Sequence, residues 1–277
     1  MILTFSGSSF FRQRILLSTL AGRPVKIENI RMDDENPGLR DFEIQFLKLV
    51  EQVTNGSSVE INYTGTAVTY RPGTITGGHV EFDCGLQRSI SYFLEGMIML
   101  APFSKLAFKL TLTGLTCDNI DATIDTLRNV NVKLLKPFGL DDGVELTIKK
   151  RGSPPLGGGE VYFTCPVVNG LKPVQLEDPG RIKKIRGIAS TTRISPQISN
   201  RLIEACRSVL NSFIPDVYIF SDVYKGEEAG KSPGYSLTLV AESTTGGLLA
   251  SHAIGQGGME SVEEVAIRTS KRLLKQI

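Results

Sequence analysis

The chain is poor in the residues that usually carry redox, metal or histidine chemistry. Its two histidines, His79 and His252, lie far apart in a sequence of 277 residues, and neither shows in sequence the partner base or phosphate geometry that a catalytic histidine needs. Both are expected in surface roles on strands, His252 close to the Gly255-Gln256-Gly257-Gly258 stretch. The four cysteines, Cys84, Cys117, Cys165 and Cys206, show neither CxxC spacing nor histidines at metal-ligand distances, so they read as reduced core thiols of an intracellular protein. Long hydrophobic runs are missing too. The apolar start Met1-Ile2-Leu3 passes straight into a Ser/Gly turn, which argues against a secretory core and against a membrane span. With 41% hydrophobic and 22% charged residues, the composition is that of a soluble protein with more than one core, divided into two or three domains at roughly 100–200 residues each.

What the chain does have is repetition. Gly77-Gly78-His79-Val80-Glu81-Phe82-Asp83-Cys84 and Gly158-Gly159-Glu160-Val161-Tyr162-Phe163-Thr164-Cys165 share Gly, Gly, Val, Phe and Cys in step, 81 residues apart. Ahead of each comes a similar phrase: Val59-Glu60-Ile61 leading to Arg71-Pro72-Gly73, and Val144-Glu145-Leu146 leading to Arg151-Gly152-Ser153-Pro154-Pro155. A repeat of this length predicts a duplicated unit.

Periodicity then predicts the elements. In a first unit, 1–85, a helix over 10–20 stops at Gly22 and a strand covers 25–30. Asn36-Pro37 opens a helix whose apolar face is Leu39, Phe42, Phe46, Leu49, Val50 and Val53, and strands follow at 58–63 and 79–84. A second unit, 86–166, repeats the order: helix 89–100, strand 108–113, helix 119–136, strands 144–149 and 160–165. Residues 167–180 read as the start of an incomplete third unit. From 181 to 277 the rhythm changes to strand 182–188, helix 196–213, strands 216–220, 236–241 and 248–253, and helix 262–277, a unit with its own core. The fold class is α+β, built from tandem units of one sheet and two helices.

The net charge of +2 hides an uneven distribution. Arg12, Arg14, Arg23, Lys26 and Arg31 open the chain, Lys149-Lys150-Arg151 follows a strand, and Arg181, Lys183, Lys184 and Arg186 form another cluster. Two readings stand, solvated loops and helix ends or a phosphate-tracking surface for nucleic acid, and charge alone does not decide between them. Gly157-Gly158-Gly159 could bring backbone amides to a phosphate, but a strand follows it, which favours a tight turn or bulge. Gly230-Lys231-Ser232 has a P-loop ending without the earlier glycine or the strand-to-helix setting, so it is not read as a nucleotide site.

A family resemblance rests on specific residues: Phe10-Phe11-Arg12-Gln13-Arg14-Ile15-Leu16-Leu17-Ser18-Thr19-Leu20-Ala21-Gly22-Arg23-Pro24, Ile30-Arg31, Asn36-Pro37-Gly38-Leu39, Tyr70-Arg71-Pro72-Gly73, Pro155-Leu156-Gly157-Gly158-Gly159 and Ile185-Arg186-Gly187. Together they resemble the RNA 3′-terminal phosphate cyclases along the whole chain. Lys150-Arg151-Gly152-Ser153-Pro154-Pro155 and Gly230-Lys231-Ser232-Pro233-Gly234 look like the eukaryotic cyclase-like branch that serves ribosome assembly.

The resemblance implies repeats similar to the C-terminal domain of a bacterial translation initiation factor, with an inserted domain of thioredoxin-like topology at about 181–277, without thioredoxin chemistry because CxxC is absent. Cyclases carry a Gly-Glu-Gly-Gly-Gly-Gln loop before the first helix, where this chain has Ser6-Gly7-Ser8-Ser9. Their nucleophilic histidine belongs to a helix beyond Ile277. The resemblance therefore implies a pseudo-enzyme with no cofactor: a ribosome biogenesis factor of the nucleus and nucleolus, working with the small-subunit processome in pre-rRNA processing and 18S rRNA maturation. Its implied partners are pre-ribosomal RNA and an assembly GTPase, with no membrane. The competing readings are an RNA-acting enzyme (an endonuclease or a 3′-terminal phosphate cyclase) and a protein-interaction module. Arg12 and Arg31 resemble arginines of the cyclase site and are expected to share one anion cleft with Arg71, while Lys149, Lys150, Arg151, Lys183, Lys184 and Arg186 are expected to face RNA phosphates.

Overall fold

The computed structural model describes residues 2–255 and 260–277; Met1 and 256–259, with most of the glycine-rich stretch after His252, lie outside the described residues. The chain begins with β1 (Leu3–Ser6), α1 (Phe11–Ala21) and β2 (Val25–Glu28). Gly22, at φ 64°, ends α1 in the left-handed conformation that glycine adopts without steric cost, and its N–H satisfies the carbonyls of Ser18 and Thr19. The helix returns the chain so that β1 and β2 pair in parallel, Leu3 opposite Val25 and Ser6 opposite Glu28. After α2 (Asp41–Val53) come β3 (Thr54–Asn55), β4 (Ser58–Ile61), β5 (Val68–Arg71) and β6 (Thr74–Ile75). The first sheet has the order β1-β2-β5-β4, and β3 with β6 makes a separate two-stranded ribbon.

The second unit follows the same plan. It runs β7 (Gly78–Asp83), α3 (Ile90–Leu100), β8 (Phe108–Gly114), α4 (Ile124–Thr126), α5 (Val132–Leu134), β9 (Glu145–Lys150) and β10 (Gly159–Cys165), with a π-helical turn joining α4 to α5. Its sheet order is β7-β8-β10-β9, again one parallel pair followed by two antiparallel ones.

This arrangement corrects the unit boundary. The strand at 79–84 does not close the first sheet: β7 opens the second, in the place that β1 holds in the first, and the counterpart of β10 is β5. The echo at 81 residues therefore joins strands in unlike positions. What they share is local: Gly77 and Gly78, like Gly157 and Gly158, sit at positive φ and turn the chain into a strand whose alternate residues are the less exposed ones. The helix expected from Asn36-Pro37 also begins later, at Asp41. Gly38, at φ 90°, lies so close to the Thr64 carbonyl that a Cβ there would stand 2.6 Å from it, so these residues are held against the 62–66 turn instead.

Residues 167–180 run without helix or strand. Beyond them β11 (Ile182–Thr192), α6 (Gln197–Leu210), β12 (Val217–Tyr224), β13 (Gly234–Ser243), β14 (Leu248–Gly255) and α7 (Val262–Leu274) form a third sheet of different order, β12-β11-β13-β14. Two cores result. One is continuous through both repeated units, where the Phe46 ring meets Phe93 and Tyr92; the other joins α6 and α7 to one face of the third sheet through Leu202, Cys206, Val265, Leu237 and Leu239. All four cysteines are buried free thiols, with burial pushing Cys117 up to about 12. Among the described residues no helix is long and apolar enough to cross a membrane.

Candidate functional site

Parallel pairing of β1 and β2 sends both chain segments out at the same end of the first sheet, which fixes where the first two candidate arginines emerge. Arg12 lies in the first turn of α1, just beyond the Ser6-Gly7-Ser8-Ser9 loop, which is tied down by Gly7 N–H to the Glu28 carbonyl at 2.8 Å. Arg31 follows β2 in the left-handed region, at φ 47°. α3 of the second unit packs against α1, and its first turn supplies the ring on which the site is organised, Tyr92.

The Arg12 and Arg88 guanidinium groups each lie 4.6 Å from the Tyr92 ring centroid, and Arg88 also covers Phe42 at 4.8 Å. Phe42 meets Tyr92 edge to face at 5.3 Å. Each guanidinium has its own carboxylate. Arg12 donates to Glu95 and to the Tyr92 carbonyl. Arg31 donates to both Glu43 oxygens at 2.8 Å and to the Gly38 carbonyl at 3.1 Å, and Arg88 donates to Asp121 at 2.7 and 2.6 Å. Burial pushes the Tyr92 hydroxyl up to about 12, and burial also raises Asp121 although Arg88 opposes the shift.

The three pairs differ in how firmly they are closed. The Glu43 side chain is 3% exposed and also accepts the Arg40 N–H at 2.8 Å, so it is fixed on Arg31. By contrast Arg12, its own side chain 13% exposed, pairs with a Glu95 side chain that is 43% exposed, a carboxylate that solvent reaches. Arg71 does not join this group. Antiparallel pairing sets Tyr70 opposite Val25, so Arg71 lies at the far end of β2 from Arg31, exposed beside Glu60 at 3.7 Å. The expected grouping of Arg12, Arg31 and Arg71 is corrected: Arg12 and Arg88 flank Tyr92, Arg31 is held on Glu43 of α2, and Arg88 gives no signal in sequence, because what recruits it is the position of Tyr92 and Asp121.

The basic clusters also divide. Lys149 is exposed on β9, and Lys150 stands 3.5 Å from Glu160. Arg151, one residue on, turns inward: its side chain is 4% exposed and binds Asp125 at 2.7 and 2.9 Å and Asp222 at 2.7 and 3.1 Å, with its guanidinium over Tyr224. Burial works against its charge, yet the two carboxylates raise its pKa on balance. It is therefore a buried tie between the second and third sheets, not a phosphate contact. On β11, Lys183 and Lys184 share Glu242 at 2.7 and 3.1 Å, and Arg186 pairs with Asp216 at 2.7 Å, all partly exposed.

The remaining motifs are structural. The loop carrying Gly230-Lys231-Ser232-Pro233-Gly234 leads into β13 and lies on the 151–157 segment, with Lys231 N–H to the Gly157 carbonyl at 2.9 Å and Leu156 N–H to Ser232 Oγ at 3.0 Å. His79 is exposed, 3.8 Å from Glu81. His252 departs from the surface placement expected of it: it is half-buried on β14, and burial lowers its pKa.

A family profile described as RNA 3′-terminal phosphate cyclase matches residues 3–275. The RNA 3′-terminal phosphate cyclase-like protein of Mus musculus is 52% identical over 280 residues, spanning 99% of this chain and 75% of that protein. Two fungal relatives are named rRNA processing proteins: that of Schizosaccharomyces pombe is 49% identical, covering 99% of this chain and 76% of its own, and that of Saccharomyces cerevisiae is 44% identical, covering 99% and 75%. By the extent of the profile match and the identity to these relatives, the chain belongs to the RNA 3′-terminal phosphate cyclase family.

Proposed function

We propose that this chain is a non-catalytic ribosome biogenesis factor of the nucleolus that binds pre-ribosomal RNA and an assembly GTPase during pre-rRNA processing and 18S rRNA maturation in the small-subunit processome. The relatives named as rRNA processing proteins support the process. The observation that carries the non-catalytic reading is the state of the cleft: Arg31 is locked on a buried carboxylate, and the loop before α1 offers only Ser6-Gly7-Ser8-Ser9, with neither an acid nor an amide side chain to hold a nucleotide. Arg12, whose partner is exposed, is the cleft's remaining anion contact. Lys149, Lys150, Lys183, Lys184 and Arg186 supply exposed or half-exposed charge for RNA phosphates, and 181–277 is read as the inserted thioredoxin-like domain.

Two measurements test this. Incubation with labelled ATP should leave no labelled protein band; an acid-labile band would overturn the non-catalytic reading. Binding to single-stranded RNA should weaken with salt, each neutralised phosphate adding about 0.7 to the slope of log affinity against log salt. Reversing Lys149, Lys150, Lys183 and Lys184 should flatten that slope, and an unchanged slope would remove these residues from the RNA surface.

A further inference from the structure

The third sheet buries one face under α6 and α7, and beyond the register shift at Ile182–Lys184 strand alternation assigns its residues to two faces. Ile185, Ala189 and Ile219 go to the helix side, while Lys184, Arg186, Ile188, Tyr218 and Phe220 take the opposite side. Residues of the second unit cover part of that opposite face, with Thr123 Oγ1 2.7 Å from Thr238 Oγ1 on β13. β12 is an edge strand, and near its start the cover stops.

Two aromatic rings stand there in solvent. Tyr218 is 49% exposed and Phe220 53%, and neither belongs to the core cluster beneath them. They meet edge to face, with centroids 4.5 Å apart at 71°. Parallel register sets Arg186 beside Tyr218 and Ile188 beside Phe220, and Lys133 and Asn129 from the second unit line the same hollow as Arg186 and Phe220. The surrounding charge is basic in excess: Lys133, Lys183, Lys184 and Arg186 stand against Asp216 and Glu242.

We propose that Tyr218 and Phe220 form a stacking platform for the bases of single-stranded RNA, with Arg186, Lys184 and Lys133 turned to its phosphates. The two rings are not coplanar, so each would take an unpaired base on the face the other leaves free, and such stacking tolerates any base. The companion ion pairs are partly exposed and so cost less to exchange for phosphate than a buried pair would. A protein-binding core at this place would be depleted in lysine, whereas three lysines gather here. The proposal rests on the RNA-binding reading above and gives that reading its point of base contact.

The test uses the full chain and a labelled, mixed-sequence, single-stranded oligoribonucleotide followed by fluorescence anisotropy at several salt concentrations. Tyr218→Ala with Phe220→Ala should weaken binding by roughly ten-fold to a hundred-fold while leaving the salt slope unchanged, because stacking releases no counterions. The sequence contains no tryptophan, so Phe220→Trp introduces a single reporter at the platform. Single-stranded RNA should quench it, and an RNA duplex, whose bases are already stacked, should not. If wild type binds with salt dependence but the double alanine variant binds equally well and the tryptophan is not quenched, the platform is overturned and the RNA reading stands. The same result accompanied by loss of a protein from a pull-down assigns the rings to a protein contact and equally overturns it. RNA binding by no form at any salt overturns both.

Discussion

Arg151 separates two uses of a basic residue, so its removal is the most telling perturbation. In Arg151→Ala, Asp125 keeps a side chain only 1% exposed and loses its bidentate partner, and Asp222, 33% exposed, loses its own. Removing one member of a buried ion pair typically costs about 3–5 kcal/mol, because the other charge is left without solvent or partner. Arg128 remains 3.2 Å from Asp125 and Asp222 reaches water, so the lower end, about 3 kcal/mol, applies here. Lys150→Ala is the control: its lysine is 44% exposed and loosely paired, which predicts a loss below about 1 kcal/mol. Urea unfolding followed by circular dichroism measures both. The Arg151→Ala deficit should persist in concentrated salt, since a buried pair is little screened, whereas any effect of Lys150→Ala should fade. Arg151→Met with Asp125→Asn should recover part of the loss, because the buried Asp125 charge is removed with its partner and only the part-exposed Asp222 carboxylate is left unpaired. A deficit under about 1 kcal/mol for Arg151→Ala, together with weakened RNA binding, would refute the assignment and return Arg151 to the phosphate-binding surface.

Glu43→Ala should destabilise the first unit by about 2–4 kcal/mol in the same unfolding assay, since it strips Arg31 of both charge-assisted bonds and α2 of its N-terminal cap. Tyr70→Phe removes the 2.8 Å bond between the Tyr70 hydroxyl and Thr19 Oγ1, both buried, and should cost about 1 kcal/mol. His252 has its pKa lowered by burial, so the folded state prefers it neutral: stability is complete above the ordinary histidine range near 6.5 and declines as pH falls through the window between that value and the lower folded one. Thermal melts on either side of that window should show the decline, and His252→Gln should remove its share. Gly230→Ala should loosen the contact between the second and third sheets, because a Cβ there would stand 2.5 Å from the carbonyls of both Arg151 and Gly157 at a positive φ; limited proteolysis of the 225–234 loop would report it.

The elements were largely legible because their signals are local. Gly22 ends α1, Leu49, Val50 and Val53 give α2 its buried face, and the strands of the third sheet begin close to where alternation puts them. Sheet order was not legible. Nothing in Gly77–Cys84 says whether that strand closes one sheet or opens the next, since its glycines and alternating pattern satisfy either position. Which strand it pairs with depends on β8, thirty residues downstream.

The functional residues divide along the same line. Lys150 and Arg151 are adjacent and alike in sequence, yet the end of β9 puts one beside solvent and the other against Asp125 and Asp222, which arrive from 26 and 71 residues away. Arg12, Arg31 and Arg71 look equivalent in sequence as well. Parallel pairing of β1 with β2 brings the first two to one end, and antiparallel pairing of β5 carries the third to the other. A basic residue's role in this chain thus follows from which carboxylate the sheet register delivers to it. By that criterion Arg31, Arg88 and Arg151 belong to the framework. Lys149, Lys150, Lys133 and the β11 cations keep exposed or part-exposed charge, and Tyr218 and Phe220 are the exposed rings beside the β11 cations.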